Sequence, residues 1–377
     1  MRLFAELAEH APSAAAAAPP ALPARSARNP TIGAHLDRSV LVRDRLRGGV
    51  RSAGAAPGRK EWFHFCVGDG EAELLANFSL CEDVRPGADR RPDIGRLTVL
   101  ARRDSYVGDV ETFPADHIAV RSAGIDLTFG ANRLAYADGA YRLSLDLSEC
   151  ALSACVDLRP VVVPTLAPNI PLPDGPPLQW AIVPRLEATG WMSLDGREHR
   201  FERALAYHDH NWGHFLWGHR FSWIWGFCLP RASASPWSIV FVRLANRLRT
   251  SALAQGLFVW KGERAHRIFR EDDLALEVDS AFLRPRSVLK VPAVMSIPSP
   301  ETATEVPRSV EMRARADGDH LVVRFELEDV AQVLIPSETD LGVTIINEVS
   351  GRALVEGELR GEALRFEGRG MCEFLGS

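Results

Sequence analysis

The run Tyr207-His208-Asp209-His210-Asn211-Trp212-Gly213-His214 gathers imidazoles, a carboxylate, an amide and an indole as no other part of the chain does. If it is a strand, its period of two sends His208, His210 and Trp212 to one face and Tyr207, Asp209 and Asn211 to the other. Gly213 would allow a bulge that re-aims a side chain. Three readings fit these residue types. His208-x-His210 places two imidazoles on one face, as some metal sites require. A histidine beside a carboxylate suits proton transfer to an apolar substrate held among Trp212, Trp217, Trp223 and Trp225, whose faces would stabilise cationic character by about 0.5–2 kcal/mol each. The third reading is structural, with buried polar groups satisfied by hydrogen bonds and tryptophans filling a core.

The elements that must position these groups are strands. Glu61-Trp62-Phe63-His64-Phe65, Arg96 to Leu100 and Tyr141 to Leu147 alternate in polarity and are punctuated by Gly68-Asp69-Gly70 and Asp138-Gly139. The rhythm resumes at Trp191, turns at Asp195-Gly196, and continues through Leu321 to Leu327 and Arg352 to Leu359. Between these stretches, Pro160 to Pro177 holds seven prolines in eighteen residues and reads as a connection crossing between two halves. Residues 1–58 are an Ala-, Pro- and Arg-rich leader in which Leu36 to Leu46 fits one short amphipathic helix ended by Gly48-Gly49. The expectation is an all-β protein: leader 1–58, a first barrel-like half with its Pro-rich connection at 59–177, and a second half at 178–377 carrying the histidine-rich strand.

Asp209-His210-Asn211-Trp212-Gly213 resembles the Asp-His-Asn-Trp-Gly signature of the carotenoid 1,2-hydratase and AttH-like family, a tandem pair of lipocalin-like barrels. Glu61 to Phe65, Phe129-Gly-Ala-Asn-Arg-Leu134 and Phe366-Glu-Gly-Arg-Gly-Met-Cys-Glu373 are similar, in the same order, to three further family segments. The resemblance implies a large apolar cavity where the halves meet and a polyene, terpenoid or polyketide-like substrate. It places His210 and Trp212 at the histidine and tryptophan of the hydratase site. The hydratases' Tyr-x-Asp proton donor, some 25 residues after the signature, is absent: Trp237-Ser238-Ile239 stands there. Asp209, raised in pKa by burial, or Glu82 or Asp83 would have to replace it.

The expected catalytic residues are His210, Asp209 and Trp212. His208, Asn211, Trp217, Trp223, Trp225, Trp237 and His64 are expected to bind substrate, with no metal and no cofactor assigned. The expected function is a cofactor-independent cyclisation, isomerisation or hydration, with a non-catalytic carrier of hydrophobic ligand as the alternative. The formal charge of −5 over 377 residues, with both signs interspersed, offers no footprint for nucleic acid. Six dispersed cysteines, no apolar run of spanning length and no signal-peptide core predict a cytoplasmic protein, with peripheral membrane contact left open. Neither a phosphate loop nor a Gly-x-Ser-x-Gly elbow is present.

Overall fold

The computed structural model describes residues 30–47, 58–82, 93–121, 124–173, 175–218, 221–231, 235–285, 287–297, 305–339 and 341–376. Asp83, the Gly48-Gly49 stop and the leader before Pro30 lie outside them. The described residues build two antiparallel, barrel-like sheets, of twelve and ten strands. The alternation read from the sequence is the physical basis of both, because each strand must bury one face inside its own barrel. In Arg59–Gly68, Phe63, Phe65 and Val67 enter the first barrel, and in Asp319–Pro336, Leu321, Val323 and Phe325 enter the second. The turns follow the same logic. Asp138-Gly139 and Asp195-Gly196 both have two consecutive positive φ values, which suit a tight hairpin.

A third core lies between the barrels. Alternate residues pointing out of both sheets, among them Cys66, Tyr207, Trp225, Phe227 and Met371, pack into one apolar cluster, so the halves meet outer face to outer face. Ion pairs pin the two ends of this junction. Lys60, buried in the first half, contacts both oxygens of Glu338 at 3.0 and 2.8 Å. At the other end Glu73 pairs with Arg102 at 2.6 Å and with Arg369 of the second half at 3.2 Å.

The sequence boundary between halves requires correction. Strands Leu178–Leu194 and Arg197–His214 belong to the first sheet, Arg197–His214 lying between Arg59–Gly68 and Leu178–Leu194. The Pro-rich stretch therefore does not cross between halves. It leads from Leu152–Pro160 back into the same sheet, and its segment Thr165–Ile170 pairs with Leu178–Leu194. The passage to the second sheet comes after His214. Proline density marks where a chain leaves regular pairing, and it carries no information about which sheet receives the next strand.

The helix is present but lies earlier than the apolar spacing indicates, spanning Pro30–Arg43: it begins before Leu36, since proline is tolerated in a first turn where its missing N–H is not needed, and it ends before Leu46. Its surface partner is the first barrel: Val40 and, just beyond the helix, Leu46 join that barrel's core. Tyr136 donates to Asp37 at 3.0 Å, and Arg43 donates to the Pro164 carbonyl at 2.6 Å.

The closing Gly368-Arg-Gly370 motif has a steric reason. A Cβ on Gly370 would stand 1.8 Å from the Phe227 carbonyl oxygen, and one on Gly368 2.3 Å from that of Leu229. Strand Glu362–Gly376 therefore sits against Phe221–Pro230 more closely than any side chain permits. Gly370→Ala should cost about 1–3 kcal/mol by forcing the strands apart. A thermal melt with unchanged far-ultraviolet circular dichroism would read this, and an unshifted transition would refute it.

Candidate functional site

The histidine-rich strand has the two faces its period dictates, and they do different things. His208 and His210 point into the first barrel, where both are fully buried. Phe65 stacks on His208 with ring centroids 4.0 Å apart, and Phe63 on His210 at 3.9 Å. Between the imidazoles lies Asp44, delivered by the turn after the helix. Its carboxylate accepts from Tyr141 Oη, from His208 Nε2 at 2.9 Å and from His210 Nδ1 at 3.1 Å. His208 donates Nδ1–H to the His64 carbonyl at 2.9 Å, while His210 Nε2 meets Glu61 at 3.0 Å. Glu61 in turn accepts from the Arg47 amide at 2.6 Å.

This is a closed network of charge-assisted hydrogen bonds. Burial alone would raise the Asp44 carboxyl, but His208 and His210 outweigh it and hold the group well below the usual carboxylate range. Burial opposes protonation of His210, yet Asp44 and Glu61 raise its pKa, as expected for a ring with a carboxylate at each nitrogen. Every nitrogen and carboxylate here has a protein partner, so the network orders the barrel and holds the helix.

The opposite face is different. Tyr207 and Asp209 point into the junction between halves. Tyr207 donates to Asp209 Oδ2 at 2.8 Å, and Asn211 donates to Oδ1 at 3.0 Å. Tyr207 stacks on Phe227 of the second half at 4.4 Å and lies 5.3 Å from Trp225. Across the ladder from Asp209 is His64, edge-on to Trp225 at 5.3 Å, with Nε2 3.1 Å from Cys66 Sγ. The second half contributes Glu348 and Glu373, directly opposite each other on neighbouring strands, with the Trp223 indole N–H donating to Glu373.

Burial dominates the electrostatics of this junction. It raises Asp209 to about 7 against the lowering effect of Tyr207 and His208, and pushes His64 down to about 3. Burial and the facing Glu373 push Glu348 well up, and burial pushes up Glu373. The buried polar groups of this junction meet one another: the Trp180 indole meets Asp209, the Trp225 indole meets Tyr207, Ser350 meets Tyr106 and Glu348 meets Glu373. Buried polar clusters of this kind concentrate at functional sites. Tyr106 lines a cavity of about 790 Å³ whose wall combines apolar Cys66, Leu75, Phe227 and Met371 with charged Glu73, Arg324, Glu326, Arg352 and Arg369. Tyr207 lies directly behind Cys66, its ladder partner, and Phe227, so Asp209 is one side-chain layer from that space.

The structure thus separates residues that the sequence reading grouped. Asp209, His64, Trp223 and Trp225 share the junction, and Asn211 reaches it through Asp209. Trp217 belongs to the same apolar cluster, its amide donating to Glu338 at 2.7 Å. His208 and His210 lie on the barrel side of the strand. Trp212 is there too, 4.8 Å from His210 and covered by the Arg47 guanidinium at 4.3 Å. Trp237 points into the core of the second barrel with Ile239, away from the junction. Glu82, weighed as an acid, accepts from the Gly58 and Arg59 amides at the strand edge. Sequence reasoning did not find Asp44, Tyr141 or Glu348. A carboxylate inside the apolar run Ile345-Ile346-Asn347-Glu348-Val349 was a usable signal, whereas nothing local marks Asp44.

Two barrel-like antiparallel sheets joined through their outer faces give a paired, lipocalin-like barrel fold, shared with an AttH-type structure. No family model matches the chain, and no curated protein matches it. Among solved structures, a protein assigned as AttH from Nitrosomonas europaea is 12% identical with a TM-score of 0.60, covering 87% of this chain and 97% of its own. Kievitone hydratase from Nectria haematococca is 10% identical with a TM-score of 0.53, over 85% of this chain and 91% of its own. CghA is 13% identical with a TM-score of 0.56, over 85% of this chain and 88% of its own, and has also been solved with Sch210972. At these identities the likeness is one of fold.

Proposed function

We propose that the protein is an enzyme that takes an apolar, isoprenoid- or polyketide-like molecule into the junction between its halves and cyclises, isomerises or hydrates it, with Asp209 moving the proton. The observation that carries this reading is the placement of Asp209. It is oriented by Tyr207 and Asn211 and buried among tryptophans one layer from a cavity of about 790 Å³. A carboxyl group poised near neutrality can both give and take a proton at physiological pH, which suits general acid-base work. Tyr106 and Phe227 at the cavity wall would favour cationic character in the substrate. His210 and Trp212 act through the strand they anchor, as positioning residues for Asp209. Fold neighbours that include a hydratase, and a protein solved with a bound small molecule, agree with this class of activity.

The test is mass spectrometry of apolar compounds co-purified with wild type and with Asp209→Asn, followed by single-turnover conversion of whatever is bound. Both proteins should bind the same compound, and the variant should convert it about 10²–10⁴-fold more slowly, the usual contribution of a positioned acid or base. Equal conversion by both proteins would remove Asp209 from the mechanism. Binding without conversion in either would make the protein a carrier.

A further inference from the structure

The junction holds a second constellation that the proposed role of Asp209 does not use. His64 from the first half and Glu348 and Glu373 from the second each offer a ligand atom, and these atoms lie within 4.8 Å of one another. We infer that His64, Glu348 and Glu373 form a buried binding site for one divalent transition-metal ion, with Zn²⁺ the best match, clamped between the two halves. The inference is independent of the reading of Asp209.

Three observations lead there. The first is geometric. Metal–nitrogen and metal–oxygen bonds of about 2.0–2.2 Å place ligand atoms roughly 3.3–4.4 Å apart, so closure onto an ion needs only small side-chain rotations. Glu348 and Glu373 are held side by side by strand register, and the Trp223 N–H fixes one oxygen of Glu373. Such an outer partner orients a ligating carboxylate.

The second is charge. Glu348, which is buried, and Glu373 face each other as ladder partners on neighbouring strands. A dication with two carboxylates and a neutral imidazole makes a site of zero net charge, which removes the penalty of burying two like charges together.

The third is a buried carboxylate oxygen that faces another carboxyl. Glu348 is 4% exposed, and what faces its Oε2 is the Glu373 carboxyl instead of an N–H donor. The donor set selects the metal. An imidazole nitrogen, with Cys66 Sγ 3.1 Å from His64 Nε2 as a nearby soft atom, suits Zn²⁺ better than the all-oxygen preferences of Mg²⁺ or Ca²⁺.

The experiment is calorimetric titration of the full chain, freed of metal with a chelator, using Zn²⁺ and then Mg²⁺. One Zn²⁺ per chain should bind, with Mg²⁺ at least 100-fold weaker, and Zn²⁺ should raise the melting temperature. Glu348→Gln keeps the shape of the side chain and should fold. It should bind Zn²⁺ at least 100-fold more weakly and lose the thermal shift, whereas Asp209→Asn should stay within a few-fold of wild type. Absence of stoichiometric Zn²⁺ binding in wild type, or unchanged affinity in Glu348→Gln, would overturn the site. An infrared carbonyl band of a protonated carboxyl that persists in wild type with Zn²⁺ and disappears in Glu348→Gln would also overturn it, and would assign the pair to sharing a proton. None of these readouts needs substrate, so they stand apart from any result on turnover.

Discussion

Asp44→Ala should destabilise the protein by about 3–5 kcal/mol, because it removes the one carboxylate that Tyr141, His208 and His210 share inside the first barrel. The loss exceeds that of an ordinary hydrogen bond. His210 would keep Glu61 on one side but lose the acceptor for Nδ1, and His208 and Tyr141 would lose theirs too, leaving buried donors unsatisfied. A shift on the order of 10 °C in the melting temperature follows for halves of this size. Asp44→Asn, which keeps the volume and part of the hydrogen bonding, should fall between. A loss below about 1 kcal/mol would mean that the helix does not hold Asp44 in the barrel in solution. The pH dependence has a definite sign. Asp44 is held low in the folded state, so its contribution is complete above its unfolded pKa near 4 and fades as pH falls below that. His210 is held high, so its contribution is complete below about pH 6.5 and is lost as pH rises through the folded value.

Asp209→Asn should do the opposite at alkaline pH and stabilise the protein. The folded carboxyl keeps its proton until about pH 7, whereas the unfolded chain releases it near 4. Folding therefore takes up a proton across this window, and wild-type stability from this group declines as pH rises through it. The gap of about three units corresponds to a penalty of up to about 4 kcal/mol above pH 7. Asparagine carries no such penalty and can still accept from Tyr207. Denaturant melts of both proteins from pH 4 to 8 should show curves that nearly coincide at the acid end and separate toward pH 8, with the variant the more stable. His64, pushed down to about 3, contributes stability that is present above about pH 6.5 and lost below it, but this is common to both proteins and cancels in the difference. Parallel curves would show that Asp209 is ionised in the folded state and would weaken its assignment as a proton donor. Stabilisation by removing a carboxylate, coupled to lost turnover, is the pattern expected of a site that spends stability on function.

Much of this protein is local physics and legible in its sequence. Alternation in Glu61 to Phe65 and Tyr141 to Leu147 specifies strands, because only a period of two buries Phe63 and Phe65 together. Asp138-Gly139 and Asp195-Gly196 specify hairpins, because few residue pairs accept two positive φ values in succession. The opposed faces of Tyr207 to Trp212 follow from the same period, and the structure keeps Asp209 and His210 apart as that period requires. What faces each side is not local. The sequence does not say that residues 178–214 close the first barrel, since strand order depends on which edges meet after the sheet has curled. Nor does it say that Asp44 sits between His208 and His210, 164 and 166 residues away along the chain, or that Trp237 turns into the second barrel. Glu348 meets Glu373 only through the register of two long strands, and both meet His64 only because two barrels dock through their outer faces. The sequence by itself determined the strands, their inward and outward residues and the chemical types available. Tertiary structure alone decided which of those types stand within reach of one another, because side-chain chemistry acts over a few ångströms and chain separation sets no bound on it.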